Sequence, residues 1–287
     1  MEMIDFTNCP RVPGKAYNGA NGKKIAVLYH GENWILKFPS NVKARPNEQS
    51  YSNSCISEHL GSTIYRLLGV PAQETLLGIH VNGRTKVVCA CKDFTSPGIR
   101  LYDFCSIKNT VIDSETGGTG TELADVLATI EQQIFMDPIP VMERFWQMFV
   151  VDALLGNFDR HNGNWGFLVN EMTGDTTLAP VFDCGSCLLP QADDRIMQLC
   201  LDNENEMNAR IYTFPGSMLK INDRKINYFD YIHGQHHEGL DQALNQLISS
   251  IKVLNFESLI DAIPYLSSLQ RQFYIAYLNK RRELIFL

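Results

Sequence analysis

Hydrophobic and polar positions follow two regimes along the chain. Residues 24–30 (KIAVLYH) and 33–38 (NWILKF) are β-rich runs, and Gly31-Glu32 between them predicts the turn of a hairpin. From 55 to 68 the spacing changes: Ile56, Leu60, Ile64, Leu67 and Leu68 recur at helical intervals, and Gly69 with Pro71 stops the helix. A second hairpin is predicted over 74–81 and 84–91, around Asn82-Gly83. Residues 1–91 thus read as a small antiparallel sheet with one helix. Residues 92–120, with Ser-Pro-Gly and Gly-Gly-Thr-Gly, read as a connector and loops. Beyond them the periods are mainly helical, at 121–135, 139–155, 240–254 and 264–285. The run at 139–155 is apolar on most sides and belongs at the centre of a core. Two short strands, 165–169 and 177–182, flank Glu-Met-Thr-Gly-Asp. The expected fold class is α+β: a β-rich N-lobe over 1–91, a hinge at about 91–94, and a mainly helical C-lobe over 92–287, with a cleft between.

Composition narrows the partners. The 287 residues are 45% hydrophobic, enough for a real core, and 25 basic against 32 acidic residues leave a net charge of −7. Such a balance argues against direct nucleic-acid binding and against attraction to a membrane, so any phosphate recognition is local. The eight cysteines are scattered, mostly in apolar runs, as reduced thiols of a cytoplasmic protein would be. Cys184-Gly-Ser-Cys187 lacks the second pair a zinc site needs, and His233, His236 and His237 read as loop residues. The first residues carry no Sec-type signal and no eighteen apolar residues run together, which predicts a cytoplasmic location and leaves non-classical export open.

Candidate chemistry concentrates between residues 154 and 188. Here an apolar segment is interrupted by Asp159, Arg160, His161, Asn162 and Asn164, and its second strand runs out at Asp183. Charges next to a core are costly unless compensated, and a cation with a phosphate would compensate these. Moving a phosphoryl group to a hydroxyl needs a carboxylate to orient that hydroxyl and accept its proton, plus oxygen ligands for Mg²⁺. Asp159 fits the base; Asn164 and Asp183 fit the metal. In the first part of the chain Gly19, Ala20, Asn21 and Gly22 form a turn whose backbone could approach phosphates, or a plain turn. Lys37, inside the apolar run WILKF, wants an anionic partner or an escape to solvent. Glu58 is the candidate partner, although it lies off the apolar stripe and could be an exposed helix glutamate; Glu48 is held in reserve.

These segments resemble HipA-type kinases, in a compact form. The likeness is carried by YNGANGKKI (17–25), WILKFP (34–39), SEHL with LLGVP (57–71), DALLGNFDRHNGNWG (152–166) and APVFDCGSCL (179–188). The resemblance implies a two-lobed protein-kinase-like fold, ATP with Mg²⁺, and transfer to serine or threonine of a protein substrate. It gives Asp159, Asn164 and Asp183 the roles above, has His161 brace the loop, and brings adenine to backbone groups near Cys91 and Asp93. A toxin paired with an antitoxin protein is a further expectation. Three departures stand out. Only about sixteen residues precede the glycine-rich segment, where HipA toxins carry an extra subdomain. The metal motif reads Asp-Cys-Gly, not Asp-Phe-Gly. Ala16 occupies the place of the serine whose autophosphorylation switches HipA toxins off, and no Ser or Thr occurs from 8 to 39.

Three rival readings are weaker. A phosphoinositide kinase shares Asp-Arg-His-x-x-Asn, but residues 188–208, taken as the loop after Asp183, hold one Arg among several acids. A non-catalytic nucleotide-binding scaffold would have lost the base or a metal ligand. A purely structural network would leave carboxylates unpartnered.

Overall fold

The computed structural model describes residues 4–13, 23–39, 52–112, 116–234 and 237–287. Strands β1 (Ile4–Asp5), β2 (Lys24–Tyr29), β3 (Glu32–Lys37), β4 (Thr75–Asn82) and β5 (Arg84–Lys92) build one sheet in the order β1-β4-β5-β3-β2. It is antiparallel except where β1 runs parallel to β4. The first hairpin turns at His30-Gly31, with φ of +50° and +81°, and Glu32 pairs with Tyr29 inside the ladder. The turn therefore sits one residue before the expected Gly31-Glu32. A two-residue turn with both φ positive suits the twist of its strands, and it places the glycine where a glutamate would be strained.

Alternation along the strands gives this sheet two apolar faces. Val27, Trp34, Leu36, Val88 and Ala90 gather with Phe6 on one side. Ile35, Cys89 and Cys91 turn to the other, against helix α1 (Ser54–Leu67). Helix α1 is buried nearly all round, and Leu60, Ile64 and Tyr65 continue into the same core as Trp146, Phe149 and Leu154.

The stretch read as connector and loops contains strand β6 (Ile99–Asp103) and helix α2 (Phe104–Val111). The cause is pairing at a distance: β6 lies antiparallel to β7 (Gly166–Asn170), which pairs with β8 (Thr176–Leu178) in a three-stranded sheet. Asp103 caps α2 by accepting from Ser106 N at 2.7 Å. Strand β8 stops at Leu178, short of the expected 182, because Pro180 has no N–H to give and Val181 bridges to Ala72 instead. Helices α3 (Leu123–Gln132) and α4 (Pro138–Leu155) follow the helical periods, with α4 at the centre of the core as expected.

Residues 188–208 are not a loop throughout, since α5 (Asp194–Asp202) and α6 (Glu204–Tyr212) occupy most of them. A small hairpin, β9 (Lys220–Ile221) and β10 (Arg224–Lys225), precedes α7 (Tyr228–Gly234), α8 (Glu238–Val253), α9 (Phe256–Asp261) and α10 (Ser268–Phe286). Fully buried Arg281 of α10 donates to Ala153 O at 2.8 Å, covering a carbonyl in the last turn of α4, where Gly156 (φ +63°) ends the helix. No helix among the described residues is long and apolar enough to cross a membrane.

Candidate active site

Lys37 is two residues after Ile35 and so shares the face of β3 that meets α1. Its Nζ lies 2.9 Å from Glu58 Oε2 and 2.8 Å from Asp183 Oδ1. Glu58 is 2% exposed, and its other oxygen accepts Cys184 N at 3.2 Å. The exposed-glutamate alternative is thereby overturned: α1 has no solvent face at Glu58, because the helix lies between the sheet and the Asp183 turn. Glu48 lies outside the described residues, as do Gly19, Ala20, Asn21 and Gly22. Burial alone would lower the pKa of the Lys37 ammonium; the Asp183 and Glu58 carboxylates more than reverse this and hold it well above its ordinary value. In return Lys37 holds the Asp183 carboxyl well below the usual carboxylate range. Asp183 itself has φ of +59°, a left-handed turn that ends the extended chain beside Lys37.

The loop after α4 is braced through its backbone. Asp159 N donates to Asn157 Oδ1 at 3.1 Å, while Asp159 O accepts from Asn164 Nδ2 at 2.8 Å and from His161 N at 2.9 Å. Asp159 and Asn164, five apart in sequence, are thus joined directly. The His161 ring accepts Gly163 N at 3.0 Å and so braces its own turn. Arg160 reaches further. Its Nε lies 3.0 Å from Asp152 Oδ2, and its Nη1 donates to Asn164 O at 2.9 Å and also to Phe182 O, just before Asp183. Asp152, 1% exposed, also accepts Tyr65 OH and Asn157 Nδ2, each at 2.8 Å. Neither Asp152 nor Tyr65 stood out in the sequence. The available signal was a carboxylate in the otherwise apolar last turns of the central helix (148–155), which demands a buried partner.

The Gly-Gly-Thr-Gly stretch is the bed of this loop. Asn162, 3% exposed, donates to Gly118 O at 2.6 Å and to Gly120 O at 2.8 Å. Lys108, fully buried, donates to the same Gly120 O at 2.9 Å. A methyl group at Gly118 would lie 1.9 Å from Cys105 O, so only glycine permits this approach.

Asp159 is raised above its usual carboxyl pKa chiefly by burial, with His161 opposing and Asp183 adding to the effect. Asn164 has its Nδ2 committed to Asp159 O, which leaves Oδ1 as an oxygen donor, and Asp183 is held ionised. Two hard oxygen ligands suit Mg²⁺. Cys184 and Cys187 are buried free thiols, and among the described residues no group of three or more His, Cys, Asp and Glu could hold a metal.

At the expected hinge, Cys91 is buried in β5 opposite Ile35 and Thr75. Asp93 N donates to Asn33 O at 2.9 Å, and Lys92 O accepts Gln73 Nε2 at 2.8 Å. Part of the backbone expected to meet adenine is therefore used to hold the end of β5. Phe94 packs on Phe182, ring centres 5.7 Å apart, so the hinge touches the residue before Asp183.

Comparison with known proteins gives the family and the fold. The HipA-like C-terminal domain family matches residues 16–252, from the glycine-rich segment into α8. The chain belongs to the HipA-like family. It is 46% identical over 286 residues to the serine/threonine-protein kinase CtkA of Helicobacter pylori, covering 99% of this chain and 87% of that one. The crystal structure of the H. pylori proinflammatory kinase CtkA superposes with a TM-score of 0.92 at 45% identity, covering 99% of this chain and 95% of that chain. The chain is accordingly a HipA-type kinase with an α+β, two-lobed protein-kinase-like fold.

Proposed function

We propose that this HipA-type serine/threonine kinase moves the γ-phosphoryl group of ATP, with Mg²⁺, onto a protein hydroxyl, using the residues gathered around Lys37 and Asp159. One observation carries the reading: a half-buried strand lysine bound at once to a buried helix glutamate and to Asp183, beside a loop that joins Asp159 to Asn164. Asp159 orients the acceptor hydroxyl and takes its proton. Lys37 holds phosphate oxygens, and Glu58 holds Lys37 in place. Asn164 and Asp183 would hold Mg²⁺, which neutralises phosphate charge when bound. The backbone of 19–22 belongs with the phosphates and that near Cys91 and Asp93 with adenine. Work in the cytoplasm beside an antitoxin partner is part of the same proposal.

The test separates the two acids. Asp159→Asn abolishes transfer to protein while leaving ATP affinity nearly intact, because the base meets the acceptor and not the nucleotide. Asp183→Asn instead weakens Mg²⁺-dependent nucleotide binding. Calorimetry beside a kinase assay with a cell lysate measures both, and an active Asp159→Asn enzyme would overturn the assignment.

A further inference from the structure

The neighbourhood of Asp159 contains a surface that phosphoryl transfer itself does not use. Phe158, immediately before the base, lies with its ring centre 5.6 Å from that of Phe214, which is 40% exposed. Three residues after Phe214 the chain enters the segment that carries the β9–β10 hairpin. Ser217 N donates to Ile226 O at 2.9 Å and Ile226 N to Leu219 O at 2.8 Å, closing the base of the hairpin. Lys220 N donates to Thr121 O at 2.9 Å, and Thr121 Oγ1 donates to Met218 O at 2.7 Å. Thr121 follows Gly120, whose carbonyl holds Asn162. The hairpin and the catalytic loop thus rest on one support, and their relative position is fixed.

The hairpin's charge runs against that of the chain. Lys220 is balanced by Asp223 at 3.7 Å, while Arg224 and Lys225 are exposed beyond it. Lys225 Nζ rests on Met218 Sδ at 3.2 Å, and the carbonyl of Met218 is held by Thr121, next to the Gly120 that supports Asn162. In a chain of net charge −7, cations carried on the same support as the Asp159 loop fit an anionic partner better than a general surface role.

We infer that Phe158, Phe214 and the Arg224-Lys225 edge form the docking surface for the acceptor segment, fitting a serine or threonine flanked by an apolar side chain and a carboxylate. The inference rests on the kinase reading above and adds the class of substrate to it. The apolar side chain lies on the half-exposed Phe214 ring, where burial of its surface gives affinity. The carboxylate meets Arg224 and Lys225, which sets register and selectivity more than tightness.

The full chain, with ATP and Mg²⁺, is presented with serine and threonine peptides carrying Asp, Ala or Lys beside the acceptor. Asp peptides are expected to exceed Lys peptides by about tenfold in kcat/KM, the scale of two solvent-exposed charge contacts, and to lose that lead in high salt. Arg224→Ala with Lys225→Ala levels the ranking, and Arg224→Glu with Lys225→Glu reverses it. Phe214→Ala lowers kcat/KM only for peptides with an apolar flank. A ranking that ignores the charge reversal, in a variant whose melting temperature matches the parent, overturns the proposal. So does a reversal whose sole effect is a higher KM for ATP, which would make these cations nucleotide contacts. Transfer that survives Asp159→Asn overturns the assignment of Asp159 as base instead, and transfer to no peptide and no lysate protein overturns both readings.

Discussion

Lys37 is held by two carboxylates, and its removal has two separable effects. Considered as a strand lysine that waits for phosphate, it should be replaceable by methionine with the thermal midpoint hardly moved. The structure changes that expectation, because Glu58 is 2% exposed and would keep only Cys184 N among these partners. Breaking a buried pair on one side costs about 3 kcal/mol or more. Lys37→Met is therefore expected to abolish activity and also to lower stability by about that amount, whereas Lys37→Met with Glu58→Gln recovers much of the stability and none of the activity. Denaturant midpoints beside a kinase assay test this; a stable but inactive Lys37→Met single variant would show Glu58 to be satisfied without it. At this scale Lys37, Asp159, Asn164 and Asp183 were legible because each is a polar residue in an apolar context. Asp152 was not, because a carboxylate in the apolar end of a helix does not reveal that Arg160, eight residues on, turns back to meet it.

Asn162 shows how one element supports another. Its Nδ2 donates to two carbonyls of the Gly118–Gly120 turn, and that turn is held in place by Lys108. Asn162→Ala is expected to lower kcat by up to about a hundredfold with KM for ATP little changed, since small displacements of a base cost rate before they cost binding. Asn162→Asp should be worse than alanine, because a carboxylate cannot donate to the two carbonyls it would face. Steady-state kinetics on the pair decide it, and equal losses in both variants would leave only a packing role. Elements with strong periods, the two hairpins of the first sheet, α1 and α4, were legible in the sequence. Helices α2, α5 and α6 are short, eight or nine residues each, and two turns are too short a window for a period to establish a helix. Their caps carried the better signal: Asp193 accepts Ile196 N at 2.8 Å and Asn203 accepts Asn205 N at 3.0 Å.

Across the whole molecule, the core runs without a break from α1 into the helical part, so a boundary drawn from the change of period at residue 91 does not mark a change of core. Control by self-phosphorylation is expected to differ from that of HipA toxins, since Ala16 replaces their serine and no Ser or Thr lies between Thr7 and Ser40. Ser50, Ser52 and Ser54 are the nearest candidates in sequence to α1. Ser54 is the first residue of α1 and half-buried, and a methyl group at Gly185 would lie 3.8 Å from its Cβ, so it packs near the turn after Asp183; Ser52 is exposed. Phosphosite mapping after prolonged incubation with ATP should find Ser52 ahead of Ser54 with activity retained. Phosphate on Tyr17 with loss of activity would show a loop switch in another form.

Gly61, on the face of α1 opposite the solvent, has a consequence for timing. A methyl group there would lie 2.7 Å from Cys184 Cβ and 3.3 Å from Cys187 Sγ, so the helix sits flush on the turn that carries Asp183. A helix so close-fitted cannot swing out and back as a throttle. Lys37 meets Glu58 as soon as the chain has folded, with no ligand needed to bring them together. The Lys37–Glu58 pair is therefore expected to need no activating step of its own: progress curves should begin without a lag, and a lag abolished by preincubation with ATP would count against this.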